Sequence, residues 1–301
     1  MGSPIDECLT VRDWLHWAEV RFSKEQLFFG HGCDNAYDEA AWLILYALKR
    51  HHDSFDEIQD VPLLLTERHS ILDILNRRIT RRIPSAYLTH QAWLGAYEFY
   101  VDERVIVPRS YFSELLEHDL SPWLSQNASI HHALDLCTGS GCLAILMAQS
   151  FPDAKIDAID LSKDALEVAR MNVERYELEN RIELIASDLF AEVRTRKYDL
   201  IISNPPYVTA DAMNSLPDEY RHEPALALAA GREGLDIVRR ILQSSADQLT
   251  PDGLLMVEVG HNADIVEAAY PDVPFTWIDT DSSEEKIFML TQKEVAAFCR
   301  Q

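Results

Sequence analysis

Ala133-Leu-Asp-Leu-Cys-Thr-Gly-Ser-Gly-Cys-Leu-Ala-Ile-Leu-Met-Ala-Gln149 changes character within one turn. Ala133 to Cys137 reads as a strand, Thr138 to Gly141 as a loop, and Leu143 to Gln149 as the helix that loop opens. The alternation repeats downstream. A second strand from Ala154 ends on Asp160, and Ser162 is placed to cap a helix reaching about Leu178. Ile182 to Ala186 is a third strand, ending in Ser187-Asp188. Tyr198 to Ser203 is a fourth, stopped by Asn204-Pro-Pro-Tyr207. A helix then spans about Leu235 to Leu249, followed by strands at Gly253 to Val259, Pro274 to Ile278 and Lys286 to Leu290. Strand and helix in alternation predict an α/β fold, a parallel sheet with helices on its faces.

The strand ends carry the chemistry, because open α/β sheets bind ligands there. Gly139 and Gly141 allow a ligand to approach the backbone closely. Asp160 follows at about the 20 residues that separate a glycine turn from a ribose-binding carboxylate, and Asp188 ends the next strand. The spacing is not Gly-x-Gly-x-x-Gly, which favours an adenosine ligand without pyrophosphate, namely S-adenosylmethionine. Proline has no N–H and biases its predecessor toward extended backbone, so Asn204 and Pro205 form a rigid turn. That turn offers a carboxamide, an uncommitted carbonyl and the ring of Tyr207, a set suited to a planar NH2 group.

Elsewhere the sequence is plainer. With 301 residues, 47% apolar and 26% charged, it is of ordinary globular composition and long enough for more than one domain. Its net charge of −23 would repel a nucleic-acid backbone and attract basic partners. No secretory signal follows Met1 and no apolar run suits a membrane span, which predicts a cytoplasmic protein. Five cysteines (Cys8, Cys33, Cys137, Cys142 and Cys299) without a Cys-x-x-Cys pair predict reduced thiols, and the histidines show no metal-ligand spacing. Thr10 to Ile83 reads as a small helical domain. Its apolar faces are Val11, Trp14, Leu15, Ala18 and Phe22 on one helix and Ala41, Leu45 and Leu48 on another. Asp34 or Asn35 caps the helix after Phe29-Gly-His-Gly32, and a binding role for His31 is open. Arg77, Arg78, Arg81 and Arg82 form either a solvated helix end or a contact for an anionic partner such as RNA. Trp93 to Val101 and Arg104 to Val107 read as a hairpin turning at Asp102-Glu103, followed by a helix carrying Leu115 and Leu116.

Taken in order, the glycine turn, Asp160, Asp188 and Asn204-Pro-Pro-Tyr207 resemble a class I S-adenosylmethionine-dependent methyltransferase that acts on a planar NH2. More closely, the chain resembles the protein glutamine N5-methyltransferases. Arg82-Ile-Pro-Ser-Ala-Tyr-Leu88 and Val107-Pro-Arg-Ser110 look like that family's approach to its hairpin. Phe29 to Ala40, Val107 to Ser110 and Leu216 to Leu228 look like its ribosomal branch, which methylates a glutamine of large-subunit ribosomal protein L-three. The resemblance implies a Rossmann-like domain at 111–301 with a mixed, mostly parallel seven-stranded sheet. It also implies a helical substrate-recognition domain at 1–90 and a β-hairpin linker at 91–110. By position, Asp135, Cys137, Thr138, Gly139, Ser140 and Gly141 would lie along the methionine and ribose of the cofactor. Asp160 would hold the ribose hydroxyls, and Asp188 and Leu189 would flank the adenine. Asn204, near both cofactor and substrate, would bind the substrate amide with Pro205, Pro206 and Tyr207. Pro108, Arg109 and Glu223 would be accessory. S-adenosylhomocysteine would be the product, with no metal, membrane or direct DNA involved. The chain departs from the family at Cys137, where glycine is common, at Tyr111, where proline is expected, and at Gly260-His-Asn262 in place of Gly-Asn. Two other readings stay open on the residues alone: an adenine N6 methyltransferase, and a non-catalytic S-adenosylmethionine-binding assembly factor.

Overall fold

The computed structural model describes residues 3–51, 54–124 and 129–298. The chain divides into two compact units, Met1–Ala92 with Leu216–His222, and Trp93–Ser215 with Glu223–Gln301.

The first unit is helical: α1 (Pro4–Glu7), α2 (Val11–Lys24), α3 (Ala36–Ala47), α4 (Phe55–Ile58), α5 (Leu65–Arg81) and α6 (Ser85–Thr89). A reciprocal cap starts α2, with Thr10 Oγ1 accepting from the Asp13 N–H and the Asp13 carboxylate accepting from the Thr10 N–H. Asn35 caps α3 by accepting from the Asp38 N–H at 2.9 Å. The core joins Trp14, Phe22, Leu43, Ile44, Ile71 and Leu75. On α3 the innermost residues are Ala40, Leu43 and Ile44; of the expected stripe Leu45 is buried, while Ala41 and Leu48 are only half-buried.

Both sequence readings of the arginine cluster placed its cations at the surface, and Arg78 corrects them. Its side chain is 1% exposed and donates to Glu39 at 2.6 Å, Glu219 at 3.0 Å and the Phe28 carbonyl at 2.7 Å. His31 is buried as well, its ring 4.5 Å from that of Tyr220.

A short hairpin follows, β1 (Ala92–Leu94) and β2 (Tyr97–Phe99), turning at Gly95 with φ +57°. It is displaced from the expected hairpin for an identifiable reason. Asn172 takes both the N–H and the carbonyl of Tyr100, at 2.7 and 3.0 Å, and Asp102 takes the N–H and guanidinium of Arg104. These are the groups a longer ladder would use, so residues 100–107 leave it. Helix α7 (Phe112–Glu117) follows.

The main sheet contains β3 (His132–Leu136), β4 (Lys155–Asp160), β5 (Ile182–Ala186), β6 (Tyr198–Ser203), β7 (Leu249–Glu258), β8 (Thr276–Thr280) and β9 (Ser283–Thr291). Its order is β5-β4-β3-β6-β7-β9-β8, parallel except for β9, which runs antiparallel to both neighbours. Helices α8 (Cys142–Ser150), α9 (Lys163–Arg175), α10 (Ala210–Ser215), α11 (Asp236–Ser245), α12 (Ala263–Ala269) and α13 (Gln292–Phe298) complete the unit. Side chains alternate between faces as the pleat requires: Ala133, Leu200 and Ile202 join one core cluster, and Leu134, Leu136 and Ile201 the other. Strand order reverses between β3 and β6, so the crevice beyond their carboxyl ends is the ligand position this topology favours. Segment 208–235, read only as a loop from sequence, holds α10 and two short 3-10 turns, at Asp218–His222 and Ala225–Ala227.

Candidate active site

Four strand tips converge on one cleft in the second unit. Of the residues expected there, Cys137, Gly139, Asp160, Asp188, Leu189, Asn204 and Pro206 line it. Asp135, Thr138, Ser140, Gly141, Pro205, Tyr207, Pro108, Arg109 and Glu223 are not in its lining.

Asp135 is fully buried beneath the glycine turn, where its Oδ2 accepts from Thr138 Oγ1 at 2.5 Å and from the Ala144 N–H at 3.0 Å. Burial pushes its carboxyl up to about 7. It clips the turn to the start of α8. Gly141, at φ +79°, is strained for any other residue and closely packed: a Cβ there would lie 3.2 Å from Ala169 Cβ on α9, tighter than an ordinary contact. Gly139 is the opposite case, since at φ +55° a Cβ would meet nothing within 4 Å and would project into open space. Cys137 adopts φ +63°, the left-handed conformation that favours glycine. Burial raises its thiol, which keeps it neutral.

Asp160 joins the tips of β3 and β4. Its Oδ2 accepts from the Gly139 N–H at 2.9 Å and its Oδ1 from the Ser162 N–H at 2.8 Å. Each oxygen retains a further lone pair, the complement of two vicinal hydroxyls. Burial raises its pKa. Beyond β5, Asp188 is half-exposed and accepts from Arg240 Nη2 at 2.8 Å. Leu189 sits at φ +49°, its carbonyl held by Ser187 Oγ at 2.8 Å.

At the β6 tip, Ser203 Oγ donates to the Leu136 carbonyl at 2.8 Å and ties the turn to β3. Asn204 Nδ2 donates to the Arg109 carbonyl at 3.2 Å, so its Oδ1 is the end of the carboxamide left to accept. Arg109 is itself clamped, donating through Nη1 and Nη2 to the two oxygens of Glu223, each at 2.6 Å, while Glu223 also accepts from the Val107 N–H at 3.0 Å. The Tyr207 carbonyl accepts from Asn262 Nδ2 at 2.7 Å. Gly260 and Gly234 make room for Tyr207: a Cβ on Gly260 would lie 2.6 Å from its ring, and one on Gly234 would lie 2.5 Å from its carbonyl.

A family model described as methyltransferase small domain matches residues 114–217. Over 96% of both chains, the sequence is 54% identical to the ribosomal protein uL3 glutamine methyltransferase of Neisseria gonorrhoeae. It belongs to that family. The Bordetella pertussis relative of the same name is 48% identical over 96% of this chain and 97% of its own, and the Burkholderia pseudomallei one 46% identical over 96% of each. As a member of the family the chain is an S-adenosylmethionine-dependent methyltransferase.

The residues present fit the family's cofactor. The space in front of Gly139 is one a side chain would fill, Asp160 presents a diol-binding carboxylate, and Leu161, Leu189 and Ile237 give the cleft apolar walls. Among the described residues no group of His, Cys, Asp or Glu could hold a metal, and no helix is long and apolar enough to cross a membrane. Cys8, Cys33, Cys137 and Cys142 are free, while Cys299 lies outside the described residues. Sequence reasoning missed Arg240, Asn262, Gly234 and Glu258. Glu258 is buried, accepts from Ser110 Oγ at 2.6 Å and the Tyr111 N–H at 3.1 Å, and is pushed by burial up to about 7. Only Asn262 carried a signal, since the Gly260-His-Asn262 stretch departs from the family's usual Gly-Asn.

Proposed function

We propose that this protein transfers a methyl group from S-adenosylmethionine to the side-chain amide nitrogen of a glutamine in ribosomal protein uL3, releasing S-adenosylhomocysteine. The substrate assignment rests on the name of relatives that match the chain over nearly its whole length. The chemistry rests on one observation, the commitment of Asn204 Nδ2 to the Arg109 carbonyl at the wall of the cleft.

An amide nitrogen is a poor nucleophile because its lone pair is delocalised into the carbonyl. Asn204 Oδ1 and the Pro205 carbonyl each accept one N–H of the substrate amide, which favours a pyramidal nitrogen with its lone pair turned toward the reacting methyl group. Tyr207 packs on the amide. When bound, the cofactor supplies that methyl group activated by sulfonium charge. Asp160 would hold its ribose, the glycine turn would hold its amino-acid end, and Asp188 and Leu189 would flank its adenine. The strand tips follow the same order across the sheet, β5, β4, β3 and then β6. Catalysis is then mainly positioning and preorganised dipoles, and the proton leaves the acidic nitrogen after transfer, so no general base is required. The helical unit serves substrate recognition, and the −23 charge suits a basic ribosomal protein in the cytoplasm.

The test is transfer of labelled methyl to unmethylated uL3, with the product mapped by mass spectrometry. Label on a glutamine is expected, with turnover lowered about a hundredfold or more in Asn204→Ala while the cofactor still binds. Label in nucleic acid, or equal losses of turnover and cofactor binding in the variant, would overturn the assignment.

A further inference from the structure

We propose that Arg104 anchors the carboxylate at the amino-acid end of the cofactor. The proposal rests on the S-adenosylmethionine reading above and assigns a residue to a part of the ligand for which that reading names no cationic partner.

The amino-acid end carries a carboxylate that needs donors once it leaves water. Among the residues lining the cleft, the cations are Arg104 and Arg240. Arg240 is bound to Asp188 beyond β5, at the adenine end. Arg104 belongs to the other end. Buried Asn172 donates to the carbonyls of both Tyr100 and Ser140, at 3.0 and 2.9 Å, which latches the Tyr100–Arg104 turn to the glycine turn beyond β3.

The guanidinium is built in rather than loosely placed. Asp102, 7% exposed, accepts from Arg104 Nε at 2.8 Å and Nη2 at 2.6 Å, and its Oδ2 also accepts from the Tyr100 hydroxyl at 3.0 Å. Two of the three nitrogens are thus committed to one edge of the fork. Nη2 also lies 4.0 Å from Met171 Sδ, the Tyr100 hydroxyl is a further side-chain partner of the guanidinium, and the side chain is 36% exposed. A guanidinium gripped along one edge presents its remaining N–H groups in a fixed direction, which suits recognition of a planar anion. Asp102 orients the cation, and because this is settled before the ligand arrives, little side-chain entropy is lost on binding.

The experiment measures calorimetric binding of S-adenosylhomocysteine and of its decarboxylated analogue to wild type, Arg104→Met and Arg104→Lys. Arg104→Met is expected to weaken S-adenosylhomocysteine by roughly ten- to a hundredfold, while affinity for the analogue changes by less than about twofold. Arg104→Lys, which keeps the charge without the fork, falls between. Equal weakening of both ligands would make Arg104 merely structural, and no weakening of either would remove it from the site; both results overturn the proposal. If wild type binds neither ligand, the cofactor reading fails as well, so the two failures are distinguishable.

Discussion

Glu223→Gln tests whether the orientation of Asn204 matters. The carboxylate accepts two charged hydrogen bonds from Arg109 at 2.6 Å each and fixes the Val107 N–H at 3.0 Å. Its side chain is fully buried, while that of Arg109 is 30% exposed. Glutamine preserves shape and one acceptor but turns an NH2 group toward the guanidinium, so one charged bond is lost and a donor faces a donor. A charged hydrogen bond contributes about 1.5–3 kcal/mol. Because water can partly compensate an arginine with this exposure, about 2 kcal/mol is the appropriate figure, and all of it falls on the segment whose Arg109 carbonyl holds Asn204 Nδ2. If that strain is expressed in the transition state, turnover falls about thirtyfold. The assay compares single-turnover methyl transfer with calorimetric affinity for S-adenosylhomocysteine. Turnover should fall with cofactor affinity nearly unchanged, and Arg109→Lys, which cannot form the two-pronged pair, should behave alike. Equal loss of rate and cofactor affinity, or an unchanged rate, would refute the idea that this ion pair acts through Asn204.

Three further perturbations follow from the same structure. Cys137→Val should lower the unfolding free energy by about 2 kcal/mol, because a β-branched side chain is poorly accommodated at φ +63°, whereas Cys137→Gly should leave it within about 1 kcal/mol; urea unfolding distinguishes them. Arg78→Met should cost about 3–5 kcal/mol by leaving Glu39 buried without its cation and Glu219 with Arg82 alone, at 3.4 Å, and adding Glu39→Gln should recover part of the loss in the same measurement. Asp135 and Glu258 both have native pKa values pushed up to about 7 by burial, so the folded protein holds their protons more tightly than the unfolded chain does. Their contribution to stability therefore falls as pH rises between the unfolded carboxylate value, about 4, and about 7. Glu258→Gln should flatten that slope in denaturant titrations at successive pH values.

The sheet was legible because its evidence is local. Each strand is a short apolar run closed by a turn residue, and Ser162 accepts from the Ala165 N–H at 3.1 Å, the capping role its position suggested. What was not legible depends on partners distant in sequence. Arg78 looks like a solvated cation until Glu39 and Glu219 are brought to it, 39 and 141 residues away. The hairpin was misplaced because residues 93–107 alternate acceptably for strands, and Asn172, 72 residues on, decides otherwise by taking both backbone groups of Tyr100. In the hairpin a buried polar group overrode the alternation of residues, since an unmet hydrogen bond costs more than a strand propensity gains.

The same reasoning explains why the stretch following the Asn-Pro-Pro-Tyr turn was hardest to read. Glu219 and Glu223 are equivalent in composition and stand in one run of polar residues, yet each is buried and satisfied inside a different unit, Glu219 by Arg78 and Glu223 by Arg109. Neither could be a surface acid, because a buried carboxylate without its cation is among the costliest defects a fold can carry. If so, removing either cation should be felt first at the carboxylate it neutralises. Arg78→Met should therefore appear as lost stability of the helical unit, and Arg109→Met as lost turnover. Proteolysis resistance of the helical unit and single-turnover rates, measured on both variants, separate the two effects; parallel changes in both quantities would mean that the two acids do not act independently.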